Sequence, residues 1–321
     1  MYDERVYWMW FQKGIGTANI KTRIISDYYA SAEQFYEDVV SGKSPAGFSE
    51  AELARLRSHS VKAEKENFDR AFSLGYDILC PNSKGYPSQL KNIDTPPSVL
   101  YVWGNASVLS DKSVAIVGTR SPKTDSYDIA YHMSGGLAVN NVTVVSGGAL
   151  GIDTAAHRGA LDSGGRTIAV LGCGLDYPYL PANAEMRKEI SKNGALISEF
   201  AIGSPASGKH FPIRNRVIAA LSMATVVVQG KKSSGTMITA GYAEKYHKTI
   251  FAVPGNPVES INSGNNSLIS DGAYPVVTYT DVLKKFLPIR EIIIDKDAHK
   301  PISNYVIKNV NNEHKSVKKS A

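Results

Sequence analysis

The chain has 321 residues, 43% hydrophobic and 21% charged, the proportions of a globular protein with room for one large domain and a small one. No apolar run approaches the ~20 residues of a membrane-spanning helix, and Met1-Tyr-Asp-Glu-Arg-Val-Tyr7 lacks the apolar core of a secretion signal. Two distant cysteines, Cys80 and Cys173, give neither a zinc spacing nor a disulfide framework, and seven scattered histidines form no metal motif. We therefore expect a cytoplasmic protein without a metal site or a membrane partner. The net charge of +6 suits a nucleic-acid partner.

Residues 1–75 read as a separate helical domain. Tyr7, Trp8, Trp10 and Phe11 give it an apolar face. Lys13-Gly-Ile-Gly-Thr-Ala-Asn-Ile-Lys-Thr-Arg-Ile-Ile25 resembles a helix-hairpin-helix turn, whose backbone N–H groups can hold a phosphate. A plain junction between two helices fits the same residues and is the reading we favour. Ser31-Ala-Glu-Gln34 matches the frame of a capping box only loosely. Ser49 is placed to cap a helix that continues amphipathically from Glu52 to Leu74. Gly75 to Trp103 is a connector with two strand candidates, Tyr76–Leu79 and Val99–Trp103.

From Ser113 strands and helices alternate. Strands are expected at Val114–Val117, Val142–Val145, Thr167–Leu171, Ala195–Ile197, Thr225–Val228 and Ile250–Val253. Helices are expected at Tyr127–Val139, Thr154–Asp162, Ala184–Lys192, Ile213–Leu221, Thr236–His247 and Asn265–Ile269. Short apolar strands separated by helices specify an α/β fold, a Rossmann-like parallel sheet with helices on both faces. Ligands of such sheets bind at the carboxyl ends of the strands. Every glycine-rich loop falls on that edge: Gly118, Ser146 to Gly151, Gly172 to Gly174, Gly230 to Gly235, and Pro254-Gly-Asn256. Residues 288–321 form a basic tail, seven Lys/Arg against four Asp/Glu, too short for another full domain.

The organising stretch is Val142-Thr-Val-Val-Ser-Gly-Gly-Ala-Leu-Gly-Ile-Asp-Thr-Ala-Ala-His-Arg158. A buried strand ends at Ser146, Gly147 and Gly148 turn the chain, and a helix begins with unpaired N–H groups and a partial positive charge, a phosphate-sized socket. Arg120, after the first sheet strand, aims a fork of donors at the same edge; a surface salt bridge is its plainer reading. The Gly-x-Gly-x-x-Gly of a nicotinamide site is missing there, and the next strand ends in Ser146 rather than an acid, so no dinucleotide cofactor is expected. From Phe200 to Ala243 there is no Asp or Glu, while Lys209, Arg214, Arg216, Lys231 and Lys232 are present. We expect Lys209, His210 and Phe211 in a loop, with Arg214 to Arg216 opening the next helix. Bases would position phosphates and Phe211 would stack an unpaired base, or plug the core. Ser234, Gly235 and Thr236 form a further donor-rich helix start. No catalytic triad or paired carboxylates can be read.

These residues resemble the DprA family, also called Smf. The resemblance rests on Gly118-Thr-Arg120, Ser146-Gly-Gly-Ala-Leu-Gly-Ile-Asp-Thr-Ala-Ala-His157, Phe211-Pro-Ile-Arg-Asn-Arg216, Ser234-Gly-Thr-Met-Ile-Thr-Ala240 and Pro254-Gly255 with Gly264-Asn-Asn-Ser-Leu-Ile-Ser-Asp-Gly-Ala273, in family order. It spans residues 76–287, with residues 1–75 similar to the family's SAM-like domain. The resemblance implies a non-enzymatic, homodimeric binder of single-stranded DNA in natural transformation, which protects incoming DNA and loads RecA. It places the DNA site at Arg120, Ser146, Gly147, Gly148, Lys209, Phe211, Arg214, Asn215 and Arg216, beside Ser234, Gly235 and Thr236. The chain departs from the family in having Gly-Thr-Arg where Gly-Ser-Arg is common, and we expect a short tail here rather than the C-terminal winged-helix domain of many members. The alternative is a nucleotide hydrolase resembling the lysine-decarboxylase-like phosphoribohydrolases; against it, Thr239 stands near where their catalytic acid would be.

Overall fold

The structure, a computed structural model, describes residues 2–294. Most of the expected basic tail, residues 295–321, lies outside the described residues.

The N-terminal segment folds into α1 (Glu4–Ile15), α2 (Lys21–Tyr28), α3 (Ala32–Val40), α4 (Glu50–Ser58) and α5 (Val61–Ser73). Capping sets their starts. Asp3 accepts from the Arg5 N–H, Ser31 accepts from that of Gln34, and Ser49 and Glu52 form a reciprocal capping box. The helix expected to run unbroken from Glu52 to Leu74 is in fact two. Ser60 accepts from the Ala63 N–H and begins α5 afresh, so α4 and α5 can both pack on α1. Helix α1 is the bundle's centre rather than an amphipathic surface helix: every residue from Val6 to Phe11 is buried. Its aromatics meet edge-on, Trp8 with Phe11 and Phe11 with Phe35, the arrangement that ring quadrupoles favour.

The remainder forms one sheet with its covering helices. In order come β1 (Asp77–Leu79), α6 (Ser88–Lys91), β2 (Leu100–Gly104), β3 (Ser113–Gly118), α7 (Thr124–Val139), β4 (Thr143–Ser146), α8 (Ile152–Asp162) and β5 (Thr167–Leu171). Then follow α9 (Ala184–Asn193), β6 (Ala195–Ser198), α10 (His210–Leu221), β7 (Ala224–Gln229), α11 (Gly235–Lys245), β8 (Thr249–Ala252), α12 (Ser263–Ser270), β9 (Tyr274–Pro275) and α13 (Tyr279–Leu283). Among the described residues nine strands pair in the order β1-β2-β6-β5-β4-β3-β7-β8-β9. Strands β3 to β9 pair in parallel, as expected, while β1/β2 and β2/β6 are antiparallel. The two connector strands therefore extend the main sheet.

The helical bundle does not stand apart. Trp8, Phe11 and Leu53 share one hydrophobic cluster with Tyr101, Leu171 and Leu196 of the sheet. The chain runs from β3 outward through β4, β5 and β6, then returns to the other flank of β3 as β7 and β8. That reversal makes the carboxyl ends of β3, β4 and β7 the topological switch point, the position where open α/β sheets bind ligands.

Candidate nucleic-acid interface

Arg120 lies just past β3 and is exposed. Its guanidinium carbon sits 5.0 Å from the centre of the Phe211 ring, within cation–π range. Phe211 is half-buried and packs on the backbone after β5: a Cβ on Gly172 would lie 2.9 Å from the Phe211 ring. Phe211 is not in a loop, as expected, but in the first turn of α10. Pro212 suggests a helix break, yet proline is tolerated in a first turn, where its N–H would be unpaired anyway. Lys209 precedes that turn and is exposed. Tyr179, not among the residues expected at the site, places its ring centre 5.6 Å from that of Phe211. Its only signal was an aromatic following the Gly172-Cys-Gly174 loop.

Behind this rim the β4 turn is braced from within. Ser146 Oγ donates to the Ile116 carbonyl at 2.7 Å, tying β4 to β3. Arg214 donates to the carbonyls of Gly147, at 2.5 Å, and Val170. It is therefore a buried strut between the ends of β4 and β5. Gly147 is needed for this closeness, since an added Cβ would lie 2.6 Å from both Arg214 Nη atoms and from Asp153 Oδ2. Gly148 and Gly151 take φ of 66° and 79°, the left-handed region that side chains disfavour. Asp153 sits inside the helix start and accepts from the Ala149 N–H at 3.3 Å. Burial raises its carboxyl above the usual range, and the Arg214 charge pulls it back. Burial likewise lowers the Arg214 guanidinium, with Asp153 opposing.

Arg216 does not reach this edge. It is 1% exposed and holds both carboxylate oxygens of Glu199 at 2.8 Å. Residues two apart on a helix point about 200° apart, so Arg214 and Arg216 cannot share one face. Its expected place at the DNA surface is corrected to a core ion pair. Glu199 also accepts from the Ala18 N–H at 2.9 Å, and its own carbonyl accepts from Gln12 Nε2 at 2.7 Å. The Gly14-Ile-Gly16 junction is thus a helix junction docked on the sheet, with a protein carboxylate where a phosphate nest would take its ligand.

Ser234, Gly235 and Thr236 begin α11 on the neighbouring rim. Ser234 Oγ is buried without a partner. Thr236 is buried, and Asn215 Nδ2 donates to the Gly235 carbonyl at 3.3 Å. Asn265 Nδ2 ties the carbonyls of Val227, Val228 and Val253. The structure therefore gathers Arg120, Lys209 and Phe211 on the surface, Ser146 to Gly148, Arg214 and Asn215 beneath them, and Ser234 to Thr236 alongside.

Residues 77–287 match the model of a family described as DNA recombination-mediator protein A. The chain belongs to that family. It is 38% identical to DNA processing protein DprA of Streptococcus pneumoniae, over 78% of this chain and 85% of that protein. To protein Smf of Synechocystis it is 32% identical, over 88% of this chain and 72% of that one. The X-ray structure of the Streptococcus pneumoniae protein superposes with a TM-score of 0.76 at 29% identity, covering 90% of this chain and all of that one. A Helicobacter pylori DNA processing protein A, studied for its single-stranded DNA binding mode, matches with a TM-score of 0.60 and 32% identity, covering 65% of this chain and 94% of that one. Among the described residues no helix is long and apolar enough to cross a membrane, and no cluster of His, Cys, Asp and Glu could hold a metal ion.

His157, within the family's longest motif, serves the fold. It is fully buried, and its Nδ1 lies 2.7 Å from Thr167 Oγ1. That hydroxyl donates to the Val144 carbonyl, so Nδ1 carries a proton, while Nε2 is buried without a partner for a second one and the ring is neutral. Burial, reinforced by the charges of Arg214, Arg158 and Arg187, pushes its pKa down to about 3. The unfolded chain binds a proton near pH 6.5 that the folded chain refuses, so stability is lost as pH falls through that window. We predict about 2 kcal/mol lost from this residue between pH 7 and pH 5. Urea unfolding at the two pH values should show the loss, and His157→Asn should lack this component. An equal loss in the variant would assign the acid sensitivity elsewhere.

Proposed function

We propose that this chain binds single-stranded DNA along the carboxyl edge of its sheet, without catalysing a reaction on it. The observation that carries the reading is the exposed Arg120 guanidinium lying over the half-exposed Phe211 ring, with exposed Lys209 two residues before that ring. Arg120 and Lys209 are exposed and neither forms an ion pair with a described residue, so both charges can meet phosphates. A surface ring can stack a base only where that base is not already stacked and paired in a duplex, which favours the single strand. The turn at Gly147 and the start of α11 add backbone and hydroxyl donors. Arg214 and Asn215 act from behind, by holding those turns in place. The relatives named for DNA processing, and the Helicobacter pylori protein studied for single-stranded DNA binding, support the reading. It extends, on the family resemblance alone, to a cytoplasmic homodimer that delivers RecA to DNA taken up in transformation.

Arg120→Ala and Lys209→Ala should each weaken binding to a labelled oligothymidine about tenfold or more, the loss of one charge-assisted phosphate contact. Each should also lower the slope of log K against log salt by about 0.7. Melting should be unchanged, because both side chains are exposed. Parent-like affinity and slope in both variants would move the site elsewhere.

A further inference from the structure

Arg187, one turn into α9, is a buried cation without a counter-ion. It is 7% exposed, and its Nε and Nη2 are buried with no hydrogen-bond partner. No carboxylate among the described residues pairs with it. The groups whose fields favour its charge are Cys173 and Tyr179. Burial raises the Cys173 thiol, so it stays neutral and supplies no negative charge. His157 is neutral too, and its Nε2 is likewise buried and unpartnered. Burying an unpaired charge is costly, so natural interiors pair such groups or leave them for a ligand.

Arg187 stands beside the candidate nucleic-acid interface. Its guanidinium carbon lies 5.9 Å from the Tyr179 ring centre. Tyr179 neighbours Phe211, and Arg120 lies over Phe211. The four side chains are thus linked by successive contacts, cation to ring, ring to ring and ring to cation, with Arg214 also 5.9 Å from the Phe211 ring centre. Leu180, immediately after Tyr179, holds a left-handed backbone at φ 52°, an unfavourable conformation for a leucine.

We propose that Arg187 and Tyr179 form a second nucleotide subsite. A strand that stacks one base on Phe211 continues over Tyr179, and its next backbone phosphate supplies the counter-ion that Arg187 lacks. This inference rests on the single-strand reading above and deepens it: the site takes at least two consecutive nucleotides, each with a ring for the base and an arginine for the phosphate.

Fluorescence anisotropy with labelled oligothymidine tests it, using the parent, Arg120→Ala, Arg187→Gln, Arg187→Lys and Tyr179→Ala. Arg187→Gln should bind about tenfold more weakly, with a salt slope lower by about 0.7. Arg187→Lys should keep the parent slope, because it keeps the charge. Arg187→Gln should melt no lower than the parent, since it removes an unpaired buried charge. Tyr179→Ala, at a half-exposed position, leaves the fold intact and should also weaken binding about tenfold. If the parent binds and Arg120→Ala weakens it, while Arg187→Gln and Tyr179→Ala match the parent, the second subsite is wrong and the primary site stands. If the parent ignores single strands at low salt, both readings fall. Should Arg187→Gln fold poorly, Tyr179→Ala decides: parent-like binding by it overturns the proposal.

Discussion

Glu199→Ala is expected to cost about 3–5 kcal/mol of folding stability. The Glu199 and Arg216 side chains are 3% and 2% exposed, and they meet at 2.8 Å. Among the described residues Glu199 alone forms an ion pair with Arg216, whose Nε and Nη1 are already buried without partners. Removing the carboxylate therefore strands a full charge in the core, which costs far more than the intact pair contributes. It also removes the acceptor of the Ala18 N–H. The junction between α1 and α2 should then loosen from the sheet, and amide exchange at Ala18 should quicken more than in the centre of α8. Urea unfolding checks the magnitude. A loss under about 1 kcal/mol would mean that the pair is solvated or replaced, and that the bundle is held by its apolar contacts alone.

Arg214→Ala should cost a comparable amount, about 3–5 kcal/mol, and should also reduce DNA binding although Arg214 is buried. The Gly147 and Val170 carbonyls lose their donor, and a buried acceptor left unpaired costs about 1–3 kcal/mol. Asp153 loses the charge that draws its carboxyl down, so burial raises it further. Adding Asp153→Asn to Arg214→Ala should recover part of the stability, because the uncompensated carboxylate is gone. It should not recover DNA binding, because the β4 turn still lacks its strut. Parent-like binding by the double variant would show that the turn does not shape the DNA site.

The alternation of strand and helix from Ser113 to Ile269 was legible because each strand is a short, mostly apolar run whose few polar residues are small or terminal. Thr167–Leu171 was read to the residue, and the glycine loops did fall on one edge. The C-terminal additions β9 and α13 were missed. Tyr274–Pro275 is two residues long and contains a proline, and α13 has five residues, so neither shows a period. Helix α10 begins three residues before the expected Ile213, because Pro212 fits a first turn where its missing N–H costs nothing. Arg216 was misplaced because a run of basic residues says nothing about which helical face each occupies. Its partner Glu199, at the boundary of the acid-free segment, was the available clue. Tyr179 and Arg187 escaped notice because their relation to Phe211 spans three segments of chain and exists only once the sheet is assembled.

An edge built from Arg120, Lys209 and Phe211 should prefer an unpaired strand. The most direct test measures binding of the parent protein to a labelled oligothymidine and to a duplex of equal length, by anisotropy, at two salt concentrations. Tighter binding to the single strand is expected at both, with affinity falling as salt rises because bound phosphates release counterions. Equal or tighter binding to the duplex, or single-strand affinity indifferent to salt, would contradict it.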